Sequence, residues 1–324
     1  MDKRLEKAYK EFKLSQKEID AITNIIIQFL KTDKTPSSDP IAIIVGGQSG
    51  AGKTALMAHA GIEFSNSIFI DNDLLRSFHP QAHLIRSKYP EYYTELTDQL
   101  GIDITSKIVD YFMGNNENGD RYDIIFHQTL KNNRIVDDAM TKFHNAGYTV
   151  IVRALAVSYF ESKISQLERC MAQYNSVGFC RHVDPETHWD AIKGIPYTVS
   201  YMEETGKYDL IQIYVRTSDI SKPKLIYSKA NPQSRNNLKH TFKQRSLEVP
   251  ENLVYDFNSA KTAIKRSRQI DSFHCVKTLQ GRIDNIINLG GYDVPGMAVH
   301  IDEIQKELNN FIEKHNLYEV CVQR

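Results

Sequence analysis

The sequence predicts an α/β fold in three layers, a mostly parallel sheet covered by helices on both faces. Three observations carry this. The apolar run Ile41-Ala42-Ile43-Ile44-Val45 leads through a glycine-rich turn into the helix-forming stretch Ala55-Leu56-Met57-Ala58. Further apolar runs rich in β-branched and aromatic residues recur along the chain. Stretches of helical length separate them, which is the alternation that builds parallel sheets.

Taken in order, residues 1 to about 30 read as one or two amphipathic helices, with Leu5, Tyr9 and Phe12 on one face and Ile19, Ile22, Ile26 and Leu30 on another. Such an arm packs on a core or binds a partner. Thr35-Pro36-Ser37-Ser38-Asp39-Pro40 ends the helix and delivers the chain to the first strand. A second strand is expected at Ser67-Ile68-Phe69-Ile70, running into the carboxylates Asp71 and Asp73. Others are expected at Tyr122–Phe126, Tyr148–Ala154 and Leu210–Val215, with Lys224-Leu225-Ile226-Tyr227 pairing back on the strand before it. Beyond about Ala230 only helical stretches at 258–285 and 301–316 stand out, with the turn Leu289-Gly290-Gly291-Tyr292 between them. The expected division is an N-terminal helical arm, 1–39, a nucleotide-binding domain, 40–230, and a C-terminal helical extension, 231–324.

Forty basic residues balance forty acidic ones, so the whole molecule offers no charge argument for binding nucleic acid or an anionic membrane. No apolar run approaches the length that spans a bilayer, and the charged N-terminus opens no signal-peptide core; the expected address is the cytoplasm, with secretion lacking a cleavable signal left open. Cys170, Cys180, Cys275 and Cys321 form no C-x-x-C pair, and four free thiols in a reducing compartment are expected.

The chemistry concentrates after the first strand. Gly47-Gln48-Ser49-Gly50-Ala51-Gly52-Lys53-Thr54 fits the pattern G-x-x-x-x-G-K-[ST] between a strand and a helix. Glycines let backbone N–H groups curl around phosphate oxygens, and the following helix adds the positive end of its dipole. Lys53 would bridge the outer phosphates and the Thr54 hydroxyl would ligate Mg²⁺, so a nucleoside triphosphate such as ATP is the expected ligand. Asp71 and Asp73 should reach the same rim, because ligands of parallel sheets gather at the carboxyl ends of strands.

With that loop, Ile70-Asp71-Asn72-Asp73 and Arg76-Ser77-Phe78-His79-Pro80 all present, residues 40 to 230 resemble the zeta toxin family. The resemblance implies a P-loop kinase-like fold, ATP and Mg²⁺ as cofactors, phosphorylation of a sugar hydroxyl of UDP-N-acetylglucosamine, and an antitoxin protein as partner. It also implies that Asp73 is the catalytic base, that Thr129 binds substrate, and that Arg169 and Arg181 clamp the triphosphate from a lid. Asp71, Arg76, His79 and His127 are expected near the acceptor. The likeness departs where the family has Glu-Gly-Thr and this chain has His127-Gln128-Thr129.

Plainer roles stand beside each of these. Arg169 and Arg181 also suit surface ion pairs, and Asp73 suits a helix N-cap before Leu74-Leu75-Arg76. His79 and His83, four apart, suit a packed or capping pair better than a metal site, for which no third ligand is in view. Three functions compete: a kinase of a nucleotide-sugar, a kinase of another nucleotide or dinucleotide cofactor, and a nucleotide-dependent switch without transfer. The absence of an Asn-Lys-x-Asp guanine reader and the presence of the base-like Asp73 favour transfer.

Overall fold

The computed structural model describes residues 3–180, 183–217, 222–245, 247, 257–270 and 273–317. Its elements run α1 (Lys3–Phe12), α2 (Gln16–Lys31), β1 (Ile41–Gly46), α3 (Lys53–Glu63), β2 (Ile68–Ile70), α4 (Asn72–Arg76), α5 (Ala82–Lys88), α6 (Tyr93–Leu96), α7 (Ile104–Phe112), β3 (Ile124–Gln128), α8 (Asn133–Asn145), β4 (Thr149–Leu155), α9 (Tyr159–Val177), α10 (Pro185–Thr205), β5 (Leu210–Val215), β6 (Lys224–Ala230), α11 (Arg235–Gln244), α12 (Ala260–Ser267), α13 (Phe273–Asn288) and α14 (Met297–His315).

The strands form one sheet in the order β2-β3-β1-β4-β5-β6, parallel except for β6, which pairs antiparallel with β5. Every residue of β1 is buried, as expected for a central strand covered on both faces. One face is covered by α2, α7, α8, α10 and α12, whose apolar residues meet Ile44, Phe126, Val152 and Ile211. The other is covered by α3 and α11, with Leu56, Phe64, Leu238 and Phe242 packed on Ile43, Ile125 and Ile151.

Two smaller clusters flank these layers. The helices α9, α13 and α14 close around Ile164, Leu167, Ile283 and Ile304. The arm helix α1 packs Ala8 and Phe12 on Ile85, Tyr89 and Tyr93, beside the segment between β2 and β3. A capping box of Ser15 and Glu18 starts α2.

Three features differ from the sequence reading. The third strand lies two residues later than expected, so His127 and Gln128 belong to β3; the Asp123 carboxylate instead accepts from Ile41 N at 2.9 Å and pairs with Arg245. Helix α11 carries only Leu238, Thr241 and Phe242 as buried residues in an otherwise polar stretch, too weak a pattern to stand out. Cys170 and Cys180 are not free thiols but form a disulfide, because left-handed Gly178 ends α9 and turns the chain back until their Cα atoms are 4.8 Å apart. Cys321 lies outside the described residues.

Candidate active site

The register of the sheet assembles the site. Gly46 of β1 lies opposite Gln128 of β3, so Gly47 and Thr129 leave the sheet side by side. Ile70 of β2 lies opposite Phe126, which sets Asp71 next to His127. Together these strand ends open on one cleft of about 1340 Å³, lined among others by Gly50, Lys53, Thr54, Asp73, Thr129 and Arg169. That exceeds the roughly 300–1,000 Å³ of a single drug-sized ligand site and leaves room for two substrates.

On the loop side, Lys53 curls back so that its Nζ donates to the carbonyls of Gly47 at 2.7 Å and Gln48 at 2.9 Å. Gly50 adopts φ +77, and a Cβ there would stand 2.0 Å from the Ser162 carbonyl oxygen of α9. The same helix brings Gln166 Nε2 to the Ser49 carbonyl at 3.1 Å and Arg169 Nη2 to the Ser49 hydroxyl at 3.3 Å. Arg216, just after β5, donates to the Gly50 carbonyl at 3.4 Å. Thr54 sits in the first turn of α3 facing the cleft.

Across the cleft, Asp71 caps α4, accepting from Asp73 N at 2.9 Å, so the cap belongs to Asp71 and Asp73 stands in the first turn. Asp71 Oδ1 also lies 2.9 Å from His127 Nδ1. Burial pushes the Asp71 carboxyl up, but the His127 hydrogen bond, the Asp73 N–H and the charge of Lys53 together hold it below its ordinary value. Asp73 remains half exposed, 3.8 Å from Arg76 Nε.

Arg76 lines the cleft but is buried, its Nη1 held by Asp98 at 2.6 Å and by the Thr94 carbonyl at 3.0 Å. Thr129 precedes Leu130, whose left-handed φ of 54° carries its side chain into the space left by the missing Cβ of Gly46.

His79 does not reach the cleft. It is buried, with Nε2 3.2 Å from the Phe12 carbonyl and Nδ1 accepting from Gln81 N, so it ties the arm to the segment before α5 with both ring nitrogens engaged. Arg181 lies outside the described residues.

The oxygen donors suit a hard cation: Mg²⁺ takes one or two carboxylates and completes its shell with phosphates and water, which Thr54, Asp71 and Asp73 on one cleft can satisfy. Among the described residues no cluster of three or more His, Cys, Asp or Glu side chains forms a dedicated metal cage.

The family model for the zeta toxin matches residues 27–228, the sheet and both walls of the cleft. The chain belongs to the zeta toxin family. It is 30% identical over 192 residues to toxin PezT of Streptococcus pneumoniae, an alignment covering 59% of this chain and 74% of PezT. It is 24% identical over 196 residues to toxin zeta of Enterococcus hirae, covering 59% of this chain and 65% of that toxin. A solved structure from a study of the PezAT chromosomal toxin–antitoxin system of S. pneumoniae superposes with a TM-score of 0.64 at 20% identity, over 85% of this chain and 98% of that one, and confirms the fold.

This zeta toxin family member also places residues at the site that the motifs do not mark. His188 of α10 lines the cleft, bonded to Ser162 Oγ at 3.0 Å, and burial, then the charges of Lys163, Lys53 and Arg268, push its imidazole down to about 4. Arg216, Gln166 and Arg268 come from outside any local motif, and only the folded chain brings them to the loop. No helix among the described residues is long and apolar enough to cross a membrane.

Proposed function

We propose that the protein is an ATP-dependent kinase that phosphorylates a hydroxyl group of a small molecule, a nucleotide-sugar such as UDP-N-acetylglucosamine being the first candidate. The observation that carries this reading is the single cleft shared by the phosphate loop and the Asp71–Asp73 strand end. Donor and acceptor held there would be spared the entropy of meeting in solution.

Lys53 would exchange its two carbonyl partners for the outer phosphates, with backbone N–H groups of the loop around them. Mg²⁺ held by Thr54 and a strand-end carboxylate would supply charge neutralisation between the phosphates. Asp73, half exposed beside the cleft, is the better base, because Asp71 is committed to His127 and to the cap. Arg169, already at Ser49, would meet charge developing on the transferred group, with Arg181 as its proposed companion.

A second reading of the acceptor rests on the Asp71–His127 pair. Bonding through Nδ1 leaves Nε2 of His127 without a protein partner, and since this nitrogen is buried, a ligand would have to displace the side chains over it to reach it. A ring held so, in place of the family's glutamate, suits another nucleotide or a dinucleotide cofactor as acceptor. An antitoxin partner is part of the proposal, since the PezAT study describes a toxin–antitoxin system.

Incubating the pure protein with ATP, Mg²⁺ and a panel of nucleotide-sugars, nucleotides and dinucleotides, and weighing the products, tests the reading. Phosphate addition to one acceptor is expected, abolished in K53A, while D73N is expected to lower turnover by about 10²-fold or more with ATP affinity nearly kept. A K53A protein with wild-type turnover would sink it.

A further inference from the structure

Gln48 is a loop position that the motif leaves unspecified, yet it is wholly buried and used at both ends of its amide. Its Nε2 donates to the Val157 carbonyl at 2.7 Å, just past β4. Its Oε1 accepts from Arg268 Nη2 at 3.0 Å. The Gln48 backbone carbonyl meanwhile accepts from Lys53 Nζ and from Ala51 N, so rotation of this one residue would disturb two bonds inside the phosphate loop.

Arg268 comes from the C-cap of α12, beyond residue 228 where the family match ends. Its Nη1 donates to the Ile192 carbonyl of α10 at 2.8 Å, and its Nε is shielded from solvent with no partner. Its two bonds go to a side-chain amide and a backbone carbonyl, both neutral, and none of the ion pairs among the described residues involves it. A shielded guanidinium without a counter-ion is costly, and the cost falls when an anion arrives nearby.

We propose that Arg268 is a positioning residue of the nucleotide site, holding the phosphate loop through Gln48 and contributing a charge that the bound polyphosphate offsets. This rests on the reading of the loop as an ATP site. Its consequence is that the chain beyond the family match supplies part of the triphosphate site, although Arg268 does not line the cleft. An arginine fits the task because its fork bonds two acceptors at once, which a lysine meets with a single nitrogen.

The test is a cycle of R268M, Q48L and the double variant in the full chain, with R268K beside them, measuring ATP Kd by calorimetry, KM for the acceptor, and melting without ligand. R268M is expected to weaken ATP by about 10-fold or more while acceptor KM changes less than about twofold, and the double variant should bind ATP no worse than the weaker single one, as for residues acting through one contact. R268K should fall between wild type and R268M and decides the question if R268M does not fold. Folded R268M or R268K with wild-type ATP affinity would overturn the proposal, as would losses that multiply in the double variant. A wild-type protein that binds no ATP would instead overturn the reading of the site itself, and this inference with it.

Discussion

At the scale of single residues, the hydrogen-bonded pair Asp71–His127 is where the proposed acceptor would be recognised. A hydrogen bond to a charged group contributes about 1.5–3 kcal/mol, or roughly 10- to 150-fold in affinity, so exchanging the partner at position 127 can redirect the acceptor without touching the donor chemistry. H127Q is expected to raise acceptor KM by about 10-fold or more, with ATP Kd within about twofold of wild type. H127E would set a second carboxylate against Asp71, and two such groups at contact cannot both ionise freely. It should therefore recover less acceptor binding than D71N/H127E; steady-state kinetics on the same acceptor panel decide, and an H127E protein that matches the double variant would show that Asp71 does not govern this position. The loop, Asp73 and Thr129 were legible in the sequence as motif residues. The Asp71–His127 contact was not, since it depends on β2 lying beside β3, and strand order leaves no local trace.

At the scale of elements, α10 sets a buried histidine, His188, against Ser162 and Tyr159 of α9, and this makes stability depend on pH. His188 in the folded protein titrates near 4, below the ordinary histidine value of about 6.5 that the unfolded chain would show. Between those values the unfolded state binds the extra proton, so stability is full above about pH 6.5 and is lost as pH falls towards 4, by an amount of order 2–3 kcal/mol. H188Q, with no group to titrate, should flatten the decline of melting temperature from pH 6.5 to 4 while leaving the pH 8 value closer to wild type; an unchanged slope would mean that other groups dominate. Helix α10 itself was foreshadowed only as a stretch of helical length, whereas the environment of its histidine depends on Ser162, Lys163 and Arg268, which come from two other helical regions. The disulfide was hidden for a similar reason: a Cys-x₉-Cys spacing has no signature until a helix end folds it back.

At the scale of the whole molecule, the helices after β6 are shared among three clusters. Leu238 and Phe242 lie under one face of the sheet, Ala260, Ala263 and Ile264 under the other, and Ile283 and Ile304 pack on α9. A fragment ending at residue 230 would keep α2, α7, α8, α10 and α3 but uncover the part of each sheet face that α11 and α12 shield, and it is expected to lose the cooperative melt of the full chain and to bind a hydrophobic dye, the signs of a loosely packed state. Calorimetry and dye fluorescence on that fragment test this; a cooperative transition within a few degrees of the full chain would show that these helices are dispensable. The α/β class was legible because strands and helices alternate in the sequence, whereas this sharing of later helices among layers was not, for α11 shows only three buried residues in ten. Gly50 shows how finely the assembly is set. It occupies a place that the phosphate-loop pattern writes as any residue, yet a Cβ there would stand 2.0 Å from Ser162 O. A chain could satisfy the pattern with alanine at that place and still be unable to seat α9 at this distance, and Arg169 would then stand off from Ser49. The seating of α9 on the phosphate loop is thus inherited from one absent methyl group, and a pattern search blind to position 50 would pool together chains in which this helix sits at different distances.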